Sequence, residues 1–198
     1  MTNIAVYWGW FNPPTLSHAK VITSVLEKTQ IEKIIFAPDW ERKDKDYKIP
    51  HIHRNKLQEI FFNILKSNWL DIEFDSHFLE WENWWYTNTM QVREYYYKKF
   101  WFYPWHIFWT DVAKDMPKWT WNHDNIIEEK LKKIFINRPG IDFNPEWLDN
   151  YMLIDIPDML EISSTMAREM IENKQKTNWV LFPKIREYID DNLLYLDK

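Results

Sequence analysis

Ile4-Ala5-Val6-Tyr7-Trp8-Gly9-Trp10-Phe11-Asn12-Pro13-Pro14-Thr15-Leu16-Ser17-His18 carries the chain from a short apolar run, through a Pro-rich turn, into a helix start. Ile4 to Tyr7 has the composition of a buried strand. Leu16, Ala19, Ile22, Val25 and Leu26 then recur at helical spacing. A helix start exposes unpaired N–H donors and the positive end of the helix dipole, which suits a phosphate. Thr15 and His18 are three residues apart there, so both can face one bound phosphate. The stretch predicts a strand, an anion-binding turn and a helix, the opening unit of an α/β domain.

The same alternation continues along the chain. Strands are predicted at Lys33 to Ala37, Asp71 to Phe74, His106 to Phe108, Lys133 to Ile136 and Met152 to Ile154. Helices are predicted at Arg54 to Leu65, Thr87 to Phe100, from Ser163, and from Phe182 to Tyr195. Strands alternating with helices imply a doubly wound parallel sheet. With no repeat, low-complexity tract or linker, one domain over residues 1–198 is expected.

Composition narrows the function. The net charge of −5 argues against nucleic acid as a partner, because neutralising phosphates needs a basic face; a base-stacking role for the aromatics falls with it. Zero cysteine excludes disulfides, thiol nucleophiles and Cys-ligated zinc, and fits a reducing, cytoplasmic setting. The N-terminus enters a strand without a secretory segment, and no apolar stretch reaches the roughly 18 residues of a membrane span.

One imbalance stands out. A chain of 198 residues would ordinarily carry roughly 14 glycines, whereas this one has 2 glycines and 14 tryptophans. Tight turns need glycine for positive φ. We therefore expect most of these tryptophans to stand at glycine positions, encoded by UGA, a codon that some bacterial lineages read as glycine. The alternative is a chain that is Trp-rich by nature.

A second segment repeats the phosphate logic. Ile162-Ser163-Ser164-Thr165-Met166-Ala167-Arg168 puts three hydroxyls at a helix start, with Arg168 one turn in; Met166 and Met170, with Ala167 and Ile171, supply a buried face. Hydroxyls, exposed N–H groups and a guanidinium make a clamp for polyphosphate oxygens, although the same residues can be a simple N-cap.

With glycine at 8 and 10, the opening stretch would read YGGGFNPPTLSH. It then resembles the phosphate loop and (H/T)xGH signature of the nucleotidyltransferase superfamily, most closely the nicotinate-mononucleotide adenylyltransferases. The second segment is similar to their ISSTxxR motif. His106 to Asp111 looks like their strand followed by Gly-x-Asp, with Trp109 at the glycine. Tyr86-Thr87-Asn88-Thr89 resembles their YTxxT, Trp119 their ring-stacking aromatic, Asn137 to Gly140 their RPG, and the stretch from Tyr188 to Tyr195 their C-terminal helix. Pantetheine-phosphate adenylyltransferases are also similar, but typically carry Ser at the position of Thr165 and are shorter.

The resemblance implies a Rossmann-like nucleotidyltransferase fold. It also implies adenylyl transfer from ATP to nicotinate mononucleotide, giving deamido-NAD and pyrophosphate, with Mg²⁺ held by the phosphates rather than by a protein metal site. By that likeness His18, Thr15 and Arg168 are catalytic. ATP would meet Trp8, Gly9, Trp10, Phe11, Thr15, His18, Trp109, Asp111, Ser163, Ser164, Thr165 and Arg168. The mononucleotide would meet Lys43 (or its neighbour Lys45), Tyr86, Thr87, Trp119 and Arg138.

Departures from the family pattern are Ser17 for glycine, a small change, and Trp8, Trp10 and Trp109 for glycine, a large one. Trp40, Trp84, Trp85, Trp101, Trp105 and Trp121 are also expected in loops or turns, and so at glycine positions. Trp119 is expected to be a true tryptophan, while Trp69, Trp81, Trp147 and Trp179 stay unassigned. His51 and His53 alternate as on an extended segment with no third ligand, which argues against zinc. Tyr95 to Tyr97 and Phe100 to Tyr103 are expected to be packing aromatics. Two rival functions stay open: another small-molecule nucleotidyltransferase, or a non-catalytic nucleotide-binding protein if the loop indoles are native. The oligomeric state and the choice between nicotinate and nicotinamide are not encoded in any motif found.

Overall fold

A computed structural model describes residues 3–39, 48–80, 89–113, 131–138, 140–143, 150–157 and 162–196. Lys43, Lys45, Tyr86, Thr87 and Trp119 lie outside these residues. So do Trp40, Trp81, Trp84, Trp85, Trp121 and Trp147.

Six strands form one sheet: β1 (Ile4–Gly9), β2 (Lys33–Pro38), β3 (Ile72–Phe74), β4 (Trp105–Trp109), β5 (Lys132–Ile136) and β6 (Tyr151–Ile154). Their order is β3-β2-β1-β4-β5-β6, and every pairing is parallel. Val6, for example, pairs with Ile35 on one side and His106 on the other. The central strands are buried on both faces, which is why they read as continuous apolar runs rather than alternating ones.

The helices are α1 (Leu16–Lys28), α2 (His51–Ser67), α3 (Thr89–Phe100), the short α4 (Thr110–Ala113), α5 (Ser164–Glu172) and α6 (Pro183–Asp191). Each buries a stripe. In α2 it is Arg54, Leu57, Gln58, Phe61 and Leu65, at spacings of one, three and four. In α6, Pro183 occupies the first turn, where its missing N–H costs nothing, and Ile185 and Ile189 face inward. Phe36 of β2 is fully buried, its ring 4.4 Å from Phe11, 5.3 Å from Phe61 and 6.0 Å from Phe74. The turn after β1 is thereby anchored in the core. No helix among the described residues is long and apolar enough to cross a membrane.

Two local expectations are corrected. His51 and His53 are helical rather than extended, because α2 starts directly after Pro50; His53 Nδ1 lies 3.0 Å from the Tyr188 hydroxyl. Trp105 is not in a turn: it opens β4, paired with Ala5 and Lys132 and packed against the core.

Candidate active site

The strand order reverses between β1 and β4, since β2 and β3 lie to one side and β5 and β6 to the other. At such a switch point the connections leaving the two strands run to opposite faces of the sheet and leave a crevice at the carboxyl ends. A cavity of about 420 Å³ lies there. Trp8, Gly9, Trp10, Phe11 and His18 wall one side, and Trp109, Asp111 and Arg138 the other; Ser164 comes from α5. A larger hollow of about 780 Å³ lies on the surface among residues 174–191, away from the strand ends, and is lined by side chains such as Lys174, Lys176 and Glu187.

His18 is the most constrained group in the cavity wall. Its Nδ1 accepts a hydrogen bond from the Thr15 N–H at 2.9 Å. A neutral ring whose Nδ1 accepts must carry its proton on Nε2. Phe11 packs edge-on to the imidazole at 5.1 Å, and Tyr7 lies at 6.2 Å. Desolvation by this packing pushes the imidazole pKa down from 6.5 to about 4. At neutral pH, His18 is an uncharged Nε2–H donor.

Thr15 does not face the cavity as the spacing suggested. It is fully buried, with its hydroxyl 2.9 Å from His18 Nδ1, so it orients the imidazole instead. The first helical N–H, of Leu16, is also taken, by the Val180 carbonyl at 2.9 Å.

The second segment meets the first. The Ser163 hydroxyl caps α5 by accepting from the Met166 N–H at 3.1 Å, which is the N-cap role. The Ser164 hydroxyl donates to the Pro13 carbonyl at 2.9 Å. Arg168 donates to the Asn12 carbonyl at 2.6 Å and to the Thr165 hydroxyl at 3.1 Å. Residues some 150 positions apart thus join α5 to the loop after β1, and of these Ser164 lines the cavity. On the opposite side, the Arg138 guanidinium pairs with Asp111, and the Arg138 N–H donates to the buried Thr110 hydroxyl at 3.0 Å.

Three supporting residues were not foreseen from sequence. Tyr195, near the end of the described chain, is buried and donates to Asn12 Oδ1 at 2.5 Å. Asn12 is therefore held through both its side chain and its carbonyl. Gln58 on the buried stripe of α2 donates to the Trp10 carbonyl at 2.7 Å. Gln58 alone left a sequence signal, as an amide among Leu57, Phe61 and Leu65. Asn12 and Tyr195 meet only through the fold. Among the described residues, no group of three His, Asp or Glu side chains could hold a metal ion.

A parallel sheet with two helix starts converging on a cavity at its switch point defines a doubly wound phosphate-binding α/β protein. Residues 6–170 match the family described as Cytidylyltransferase-like, and the chain belongs to that family. The nicotinate-nucleotide adenylyltransferase of Bacillus subtilis is 25% identical over 199 residues, covering 98% of this chain and 99% of that protein. Two solved structures of the Plasmodium falciparum nicotinic acid mononucleotide adenylyltransferase have the same fold at 22% identity. The complex with NaAD superposes at a TM-score of 0.81 and the complex with APC at 0.79, each covering 98% of both chains.

Proposed function

We propose that the chain, acting as one catalytic domain in the cytoplasm, transfers the adenylyl group of ATP to nicotinate mononucleotide. In this reaction the mononucleotide's phosphate oxygen attacks the α-phosphorus of ATP. The bond from that phosphorus to the bridging oxygen breaks, and pyrophosphate leaves with the electron pair. The products are deamido-NAD and pyrophosphate. No covalent bond to the protein is needed, because positioning and charge stabilisation carry the transfer.

The observation that carries this reading is the meeting at one cavity of His18, an oriented neutral donor, and Ser164 from the start of α5, the helix that Arg168 ties to the Asn12 carbonyl of the first loop. His18 Nε2–H meets the non-bridging oxygens of the α-phosphate as charge builds on them. Arg168 and the hydroxyls of Ser164 and Thr165 hold the departing pyrophosphate. Asp111 serves the adenosine, and Arg138 the mononucleotide, from the facing wall. Mg²⁺, when bound, neutralises the polyphosphate; with the donors present it is carried by phosphate oxygens and water. Gln58, Asn12 and Tyr195 fix the loop on which the phosphates rest.

The test is pyrophosphate release with ATP and Mg²⁺, comparing nicotinate mononucleotide, nicotinamide mononucleotide and phosphopantetheine. It is run on the chain as written and on a version with glycine at 8, 10 and 109. Turnover selective for a pyridine mononucleotide supports the reading. Turnover only with phosphopantetheine, or ATP binding without turnover in both versions, overturns it.

A further inference from the structure

The fold sorts the tryptophans by what each does. Trp69 and Trp101 adopt φ of 61° and 63°, in the left-handed region. There an L side chain crowds the backbone, and a bulky residue is an outlier. Both terminate helices. After the α2 C-cap at Asn68, the Trp69 N–H bonds the Lys66 carbonyl at 3.2 Å; after α3, the Trp101 N–H bonds the Tyr97 carbonyl at 2.7 Å. These are the bonds made by the residue just past a helix end in the Schellman and left-handed capping motifs, a position where glycine is strongly favoured.

No packing offsets the conformation at either position, because Trp69 is 96% exposed and Trp101 81%. Lys174 and Leu193 occupy the equivalent left-handed positions after α5 and α6. Tryptophan therefore holds two of the four such positions among the described residues.

Trp8, Trp10 and Trp109 are misplaced in a different way. Trp8 and Trp10 flank Gly9 where β1 runs into the cavity, and Trp109 ends β4 facing them. The Trp8 indole N–H is buried and finds no hydrogen-bond partner among the described residues. Trp105 makes the contrast. Its ring packs on the core, with Lys132 Nζ 5.9 Å from the ring centroid, so this indole has a structural job.

We propose that the functional protein carries glycine at positions 8, 10, 69, 101 and 109, the five codons being UGA read as glycine in the source cell. The assignment at 69 and 101 rests on backbone conformation alone. At 8, 10 and 109 it rests instead on their place in the cavity wall and on the phosphate-binding reading, since backbone can approach a phosphate closely only where no side chain intervenes.

Two measurements test the proposal without using activity. The first is the gene sequence, with peptides spanning the five positions identified by mass spectrometry from the source cell. UGA codons and glycine-bearing peptides are expected; UGG codons, or peptides that keep tryptophan, overturn the proposal. The second is thermal unfolding of the recombinant chain. W69G and W101G should each raise Tm, by about 2–4 °C if relief of the left-handed side chain is worth about 1 kcal/mol. W105G should lower Tm, because it removes packed surface. Equal losses in all three variants would show that the exposed indoles are native. Failure of pyrophosphate release alone, with UGA at these codons, would count against the transferase reading and not against this one.

Discussion

At the scale of single residues, the proposed transfer depends on how His18 is held. In the proposed role its Nε2–H bonds the α-phosphate more strongly as the transition state forms, so His18→Ala should lower kcat by about 10²–10³. The KM for ATP should change much less. Arg168→Ala should raise that KM as well as lower kcat, since the triphosphate is already charged before reaction. Steady-state kinetics in the glycine version separate the two patterns. Near-normal kcat in His18→Ala would make His18 only a cap for α1. The depressed pKa gives a second check. In an NMR titration of the free protein, the His18 imidazole should stay neutral down to about pH 5 and take up its proton near 4. A midpoint near 6.5 would show that its packing under Phe11 and Tyr7 does not desolvate it.

At the scale of elements, the loop of residues 11–15 is held by parts of the chain far from it in sequence. Tyr195→Phe removes the donor to Asn12 Oδ1 and leaves a buried acceptor with one bond fewer, at a cost of about 1–2 kcal/mol in urea unfolding. Because Asn12 also accepts from Arg168, the same change should raise the KM for ATP more than it lowers kcat. An unchanged KM would make Tyr195 a core residue only. The strands and the longer helices were legible in the sequence because each buries a continuous apolar run or a stripe with helical period. The boundaries were less so: α2 reaches back to His51 because Pro50 sets its start, and β4 begins at Trp105, whose indole suggested a turn. The two phosphate segments were legible from their local chemistry. Their joining through Ser164 and Pro13, the inward turn of Thr15, and the Tyr195–Asn12 contact were not, because tertiary packing decides them.

At the scale of the whole molecule, buried neutral histidines tie stability to pH. His106 in β4 is buried, and its pKa falls to about 3, first through desolvation and then through the nearby Arg93 charge. In the unfolded chain it takes up a proton near 6.5, so below that pH the unfolded state binds more protons than the folded one. Stability is therefore full above pH 6.5 and declines as pH falls toward 3. By pH 5 the loss from His106 is about 2 kcal/mol, and His18, whose folded pKa of about 4 also lies below 5, adds a similar amount, as measured by urea unfolding at pH 7.5 and 5. No loss between these values would show that His106 is solvated in the fold. The molecule as a whole is a sheet whose switch point, two helix starts and chain end are built around one cavity, and its central claim is adenylyl transfer there. The most direct test follows deamido-NAD and pyrophosphate together from ATP, Mg²⁺ and nicotinate mononucleotide, using the chain with glycine at 8, 10 and 109. The account predicts equimolar formation of both products, abolished by the pair His18→Ala and Arg168→Ala; ATP bound in the cavity with neither product formed would contradict it.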